Sequence, residues 1–275
     1  MMKLLRIVVT IAFLAVSAVF VKYYMSEIRS QDNTWPVITI EGDELTVSAD
    51  IENEELLKGV TATDGKDGDL TDKIIVESIS KFFEPGVCKI TYAVCDSDNH
   101  VSSATRTIRY KNYRSPEFTL SQPLLYYVGD RVNLSAIVGA KDVIDGDITN
   151  TVIVVSDDYK SGQAGVFHVE MKASNSKGDI VSLRAPMFIE ERTPGAPVIN
   201  LTDYIIYLKS AKKPDFTKYI ESVKDEMGND LDLTLVETES EINYDEEGAY
   251  AVHYYVTDSL GRKGHAVLTV VVEKK

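Results

Sequence analysis

Cysteine is nearly absent: Cys88 and Cys95 are the only two in 275 residues. A disulfide-stapled scaffold is therefore excluded. The single bridge that could form is geometrically poor, because the two residues lie seven apart on one alternating run, about 23 Å when extended, and a disulfide needs Cα atoms within about 7 Å. They also fall on opposite parities, so Cys88 is expected inside as a small apolar residue and Cys95 outside or at an edge. Histidine is scarce too. His100, His168, His253 and His265 show no ligand spacing to one another or to cysteine, and all four are expected at the surface. The motifs G-x-S-x-G, H-E-x-x-H and C-x-x-C are missing, as is a phosphate-cradling glycine loop, which argues for a binding or structural chain and against an enzyme. Basic residues are outnumbered, 29 against 43 acidic, for a net charge of −14. A field of that sign excludes nucleic acid as a partner. Outside the N-terminus no long helical period occurs, although Asp215 to Val223 could form a turn or two.

What is present is repetition. From Asp64 the chain reads D-G-K-D-G-D-L-T, from Asp142 D-V-I-D-G-D-I-T and from Asp225 D-E-M-G-N-D-L-D. Pro36, Pro116 and Pro197 open P-V-I-T-I, P-E-F-T-L and P-V-I-N-L at steps of 80 and 81. Gly86, Gly165 and Gly248 each precede a run of strict alternation, at steps of 79 and 83. Three landmarks in one order, three times, describe three copies of one small domain rather than a solenoid. The alternating runs carry Cys88, Ile90, Tyr92, Val94; then Phe167, Val169, Met171, Ala173; then Tyr250, Val252, Tyr254, Val256 on one parity. Each stops at an Asp/Asn/Ser/Gly turn and is followed by a final strand, Ala104 to Tyr110, Ser182 to Ile189 and Ala266 to Val272, which predicts a closing hairpin. Short strands at this spacing predict an all-β chain of antiparallel sandwiches.

The N-terminus differs from the rest. Lys3 and Arg6 precede the apolar stretch Ile7 to Val21, with Lys22, Tyr23 and Tyr24 after it. This is either an export signal cleaved near Val16-Ser17-Ala18 or a retained anchor of roughly 20 residues. The anchor is favoured because the cleavage-like site lies inside the apolar run, and the basic start places the N-terminus in the cytoplasm. No hydrophobic tail or sortase motif closes the chain, so attachment is expected at the front. The expected organisation is a signal anchor or signal peptide over 1–25, a spacer over 26–35, and domains over 36–112, 113–192 and 193–275.

The segments Gly59 to Thr71, Glu84 to Asn99 and Ala104 to Ile108 of the first copy resemble the bacterial Ig-like surface-repeat family, known from tandem arrays on Gram-positive surface proteins and from pesticidal crystal proteins. The second copy matches through D-G-D-I-T and G-V-F-H-V but has Asn175 where the turn usually has Asp. The third keeps Y-Y-V-T-D-S-L-G-R but has Gly-Asn-Asp for Asp-Gly-Asp. The resemblance implies three tandem immunoglobulin-like β-sandwiches after the N-terminal helix, exposed on a cell surface with the C-terminal region outside, or secreted if the leader is removed.

Two kinds of side chain are candidates for ligand contact. Asp64, Asp67, Asp69, Asp142, Asp145 and Asp147 set carboxylates at i, i+3 and i+5 around a glycine, a pattern that can hold Ca²⁺. The same residues build turns by accepting backbone N–H bonds, and the loss of one carboxylate from the third copy favours that role. No other cofactor is implied. Tyr126, Tyr127, Tyr204, Tyr207, Tyr244, Tyr254 and Tyr255 could stack on sugars or a protein partner, or fill cores and joints. The expected function is a membrane-anchored surface protein, held through residues 4–25. Its semi-rigid stalk would serve adhesion or recognition of wall glycan or a surface protein. A passive envelope spacer and a carbohydrate-binding accessory module are the alternatives.

Overall fold

The computed structural model describes residues 2–30, 34–48, 53–155, 159, 162–209 and 213–273. Helix α1 runs over Met2–Ser30. Its stretch Leu5–Ser26 has a mean hydropathy of 2.2 over its most apolar part and none of it is buried by protein. At 1.5 Å per residue these 22 residues span about 33 Å, enough to cross a bilayer core. The remainder is strand and turn with a few one-turn helices, among them α2 (Asn53–Leu56), and the chain divides into two compact units, residues 1–111 and 112–275.

The first unit holds β1 (Val37–Ile40), β2 (Glu44–Val47), β3 (Val60–Asp64), β4 (Gly68–Asp69), β5 (Ile75–Ile79), β6 (Val87–Cys95) and β7 (Val101–Tyr110). One sheet has the order β1-β3-β4 and the other β5-β6-β7-β2. β1 starts directly after Pro36, whose fixed φ and missing N–H suit the first position of a strand. The leading segment is shared between the sheets: β1 pairs antiparallel with β3, and after the Gly42 turn β2 pairs parallel with β7. That parallel pair is the one departure from the antiparallel sandwich the alternation predicts.

The second unit repeats this plan twice. β8 (Glu117–Leu120), β9 (Leu125–Tyr127), β10 (Val138–Asp142), β11 (Gly146–Asp147), β12 (Ile153–Val155), β13 (Gly165–Ser174) and β14 (Ile180–Glu190) form sheets β11-β10-β8 and β12-β13-β14-β9. β15 (Val198–Leu201), β16 (Ile205–Leu208), β17 (Ile220–Lys224), β18 (Glu237–Ser240), β19 (Gly248–Thr257) and β20 (Lys263–Val272) form β15-β17 and β16-β20-β19-β18. β9 and β16 again run parallel to the final strand, against β14 and β20. The segment after Asp215 is a single 3₁₀ turn, Phe216–Tyr219, leading straight into β17.

The alternation delivers the cores. Val169, Met171 and Ala173 of β13 meet Ala185, Met187 and Ile189 of β14, with Phe118, Leu124 and Ile148 from the other layer. Val252, Tyr254 and Val256 meet Ala266, Leu268 and Val270, with Ile199, Phe216 and Val223 opposite. Each large aliphatic so buried contributes about 1.5–3 kcal/mol. Neither cysteine forms a disulfide; Cys88 is buried and Cys95 exposed.

Within the second unit the two sandwiches dock on each other. β20 is buried on both faces: Ala266, Leu268 and Val270 point into their own core, while Val267, Thr269 and Val271 on the opposite parity are buried too. Tyr204, Ile205 and Ala249 of the third sandwich pack, partly buried, against the core of the second. Tyr207 locks the joint, its hydroxyl accepting the Phe118 N–H at 2.6 Å.

Candidate functional site

The six aspartates singled out by spacing lie in the turns between β3 and β5 and between β10 and β12, and each carries out one of three separate tasks. Asp64 accepts the N–H groups of Lys66 (2.8 Å) and Asp67 (2.9 Å), closing its own turn, and Asp142 does the same with Ile144 (2.8 Å) and Asp145 (3.0 Å). Asp67 reaches to the hairpin turn after β6, accepting from the Ser97 N–H at 2.7 Å and its hydroxyl at 2.9 Å. Asp145 repeats this on Ser176, at 2.5 and 2.7 Å. Asp69 and Asp147 accept the N–H of Thr71 and Thr149, both at 2.9 Å, starting the following 3₁₀ turns. Gly68 and Gly146 between them take φ of 74° and 71°, a region costly for other residues.

These bonds hold the ionised forms. The N–H groups of Asp67 and Lys66 lower the Asp64 pKa, the N–H and hydroxyl of Ser97 lower that of Asp67, and the Thr71 and Thr149 contacts lower Asp69 and Asp147. Among the described residues no group of three or more His, Cys, Asp or Glu side chains is arranged to hold a metal ion.

The two departures in the later copies have structural reasons. Asn175 donates through Nδ2 to Asp142 Oδ2 (3.1 Å) and to the Tyr113 hydroxyl (2.8 Å), while its Oδ1 accepts the Asp179 N–H. An aspartate there would set a second carboxylate against Asp142. In the third copy the left-handed residue is Gly228 (φ 83°), one position earlier than in its counterparts, and Asp225 accepts from the N–H groups of Met227 and Asn229. The short strand corresponding to β4 is reduced to a bridge between Lys224 and Asp230.

Two histidines expected at the surface are not there. His253 and His265 lie on the covered face of β19 and β20, with Nδ1 of His253 2.9 Å from Nε2 of His265. The His265 side chain is only 5% exposed, and its Nδ1 is 2.9 Å from Glu190 Oε1 on β14. Phe188 of β14 meets the His253 ring edge-on at 4.7 Å. The readable signal was in β20, where A-V-L-T-V-V-V breaks alternation, the mark of a strand buried on both faces.

A cleft of about 800 Å³ runs along the same joint. Arg114, Glu117, Tyr113 and Arg184 line it from the second sandwich, and Tyr207, Lys209, Glu247 and Glu273 from the third. Lys209 Nζ bonds Glu117 Oε1 at 3.0 Å across it. Burial pushes the Glu273 carboxyl pKa upward, although Lys209 opposes this. Opposite charges and hydroxyls thus share one concave surface, a chemistry suited to ligands rich in hydrogen-bonding groups. Of the tyrosines weighed for contact, Tyr207 lines this cleft, whereas Tyr254 is fully buried with its hydroxyl on the Phe216 carbonyl at 2.9 Å.

Residues 38–109 match the family model described as "Bacterial surface protein, Ig-like domain". That match covers the first sandwich, and the order of its larger sheet, β5-β6-β7-β2, recurs in the next two as β12-β13-β14-β9 and β18-β19-β20-β16. The pesticidal crystal protein Cry22Aa of Bacillus thuringiensis is 27% identical over 220 residues, covering 77% of this chain and 29% of its own. An uncharacterized 81.3 kDa protein of Acholeplasma phage L2 is 27% identical over 136 residues, covering 48% of this chain and 18% of its own. The chain thus spans less than a third of either relative's length. Among solved structures, one of the CBM51-2 and INT domains of Clostridium perfringens ZmpB aligns at 24% identity over 53% of this chain and 26% of that one, with a TM-score of 0.21.

Proposed function

We propose that this chain is a surface-displayed recognition protein, held to a membrane by α1 and gripping a glycan or a protein at the joint of its second and third sandwiches. The supporting observation is the cleft of about 800 Å³ at that joint, where Arg184, Lys209, Glu247 and Glu273 converge. The bare and apolar stretch Leu5–Ser26 supports anchoring. The absence of a catalytic motif from the sequence supports binding rather than turnover.

The test uses the full chain in detergent micelles against immobilised wall fragments and a glycan array. Saturable binding is expected. Arg184→Ala combined with Glu247→Ala should weaken it at least about tenfold, the equivalent of about 1.4 kcal/mol. If no surface or glycan is bound, the sandwiches act as a spacer. Binding that is unchanged in the double variant places the contact elsewhere.

A further inference from the structure

We propose that the joint between the second and third sandwiches is an acid-sensitive latch, whose moving part is the hydrogen-bonded pair His253 and His265. The inference stands apart from the identity of any ligand. The two imidazoles face each other nitrogen to nitrogen at 2.9 Å, with rings stacked at 5.1 Å between centroids. Such a contact needs one nitrogen as donor and the other as acceptor. A neutral pair meets this need with His253 Nδ1–H as donor and His265 Nε2 as acceptor; the buried His265 Nδ1 lies 2.9 Å from Glu190 Oε1 but outside hydrogen-bond geometry. One added proton is tolerated, because a donor and an acceptor still oppose each other. A second makes both facing nitrogens donors and places two cations in contact.

The surroundings oppose that second charge only partly. From β14 the pair is faced by Glu190 and by Phe188. From β18, Glu239 pairs in register with His253, and Glu241 lies just beyond it. From β19, Tyr255 stacks on His265 at 4.5 Å, and from β20 the Lys263 ammonium sits 3.5 Å over the Tyr255 ring, adding positive charge beside the pair. Burial, then the charge of His265, holds the His253 pKa below its ordinary value, although the three glutamates pull the other way. A histidine with a lowered folded pKa contributes stability that is complete above the unfolded value of about 6.5 and is lost as pH falls below it. Glu190 acts in the same sense at lower pH: its contact with His265 lowers its pKa, so its contribution is lost on acidification. The joint therefore weakens as pH drops from neutral, and the cleft lined from both sandwiches changes shape with it.

Hydroxyl-radical footprinting of the full chain in micelles at pH 7.5 and 5.0 tests this. Labelling of Phe188 and Tyr255, which face the pair from β14 and β19, should rise severalfold at pH 5.0 over pH 7.5. The core residues Tyr92 and Met171 should stay protected at both pH values. His253→Gln and His265→Gln should each flatten the response. Equal labelling of Phe188 and Tyr255 at both pH values in the unaltered protein overturns the latch, as does a rise that survives in both variants. If one variant exposes Met171 at pH 7.5 it has lost its fold, and the other decides.

Discussion

At the scale of single residues, the first sandwich contains a buried arginine where the others have apolar side chains. Arg106 pairs in register with Ile90, as Ala185 does with Val169 and Leu268 with Val252. Its guanidinium donates to the carbonyls of Leu56 (3.1 Å) and Lys58 (3.0 Å) and to the Tyr92 hydroxyl (2.7 Å), which itself donates to Leu56. Arg106→Ala should cost about 2–5 kcal/mol in denaturant unfolding, because it leaves a cavity and removes the side-chain donor from the Lys58 carbonyl, while Leu56 keeps the Tyr92 hydroxyl. Tyr254→Phe loses one buried bond and should cost about 1 kcal/mol. The opposite sign is expected at Thr269, 1% exposed with no partner for its hydroxyl. Thr269→Val keeps the shape, removes the unmet polar group and should raise stability by up to about 1 kcal/mol. None of these partners could be read from spacing, because each pairs residues at least 14 positions apart through a fold that must already exist.

At the scale of elements, the aspartate turns join the two sheets of the first and second sandwiches. Asp67 ties the turn after β3 to the hairpin after β6, and Asp145 ties the corresponding pair in the second copy. Asp67→Ala should lower the melting temperature with or without Ca²⁺. A melting temperature that rises with millimolar Ca²⁺, and stops doing so in Asp67→Ala, would show instead that the cluster takes up a cation. Acid should loosen these turns. Asp64, Asp67, Asp69 and Asp147 all have lowered pKa values, so their contribution is present above about 4 and is lost as pH falls through the depressed values. A pH titration of the thermal midpoint checks the sign. The turn positions were legible in the sequence because Asp and Gly at fixed offsets have few other uses. The carboxylates' partners were not, since Ser97 and Ser176 come from another part of the chain.

At the scale of the molecule, α1 and the two compact units are the parts the chain offers. If α1 is retained, the protein should stay with the membrane pellet through an alkaline carbonate wash, and a mature form beginning after Ala18 in the medium would show cleavage. The sequence by itself determined the strand pattern, the repetition and the inward parity. These depend on local alternation and turn chemistry, which are written in consecutive residues. Only the tertiary structure decided that the leading segment of each copy divides between two sheets, that β20 is covered on both sides and that His253, His265 and Glu190 meet. Those outcomes depend on which surfaces bury each other, a choice made among residues far apart in the chain and settled by packing rather than by any local preference.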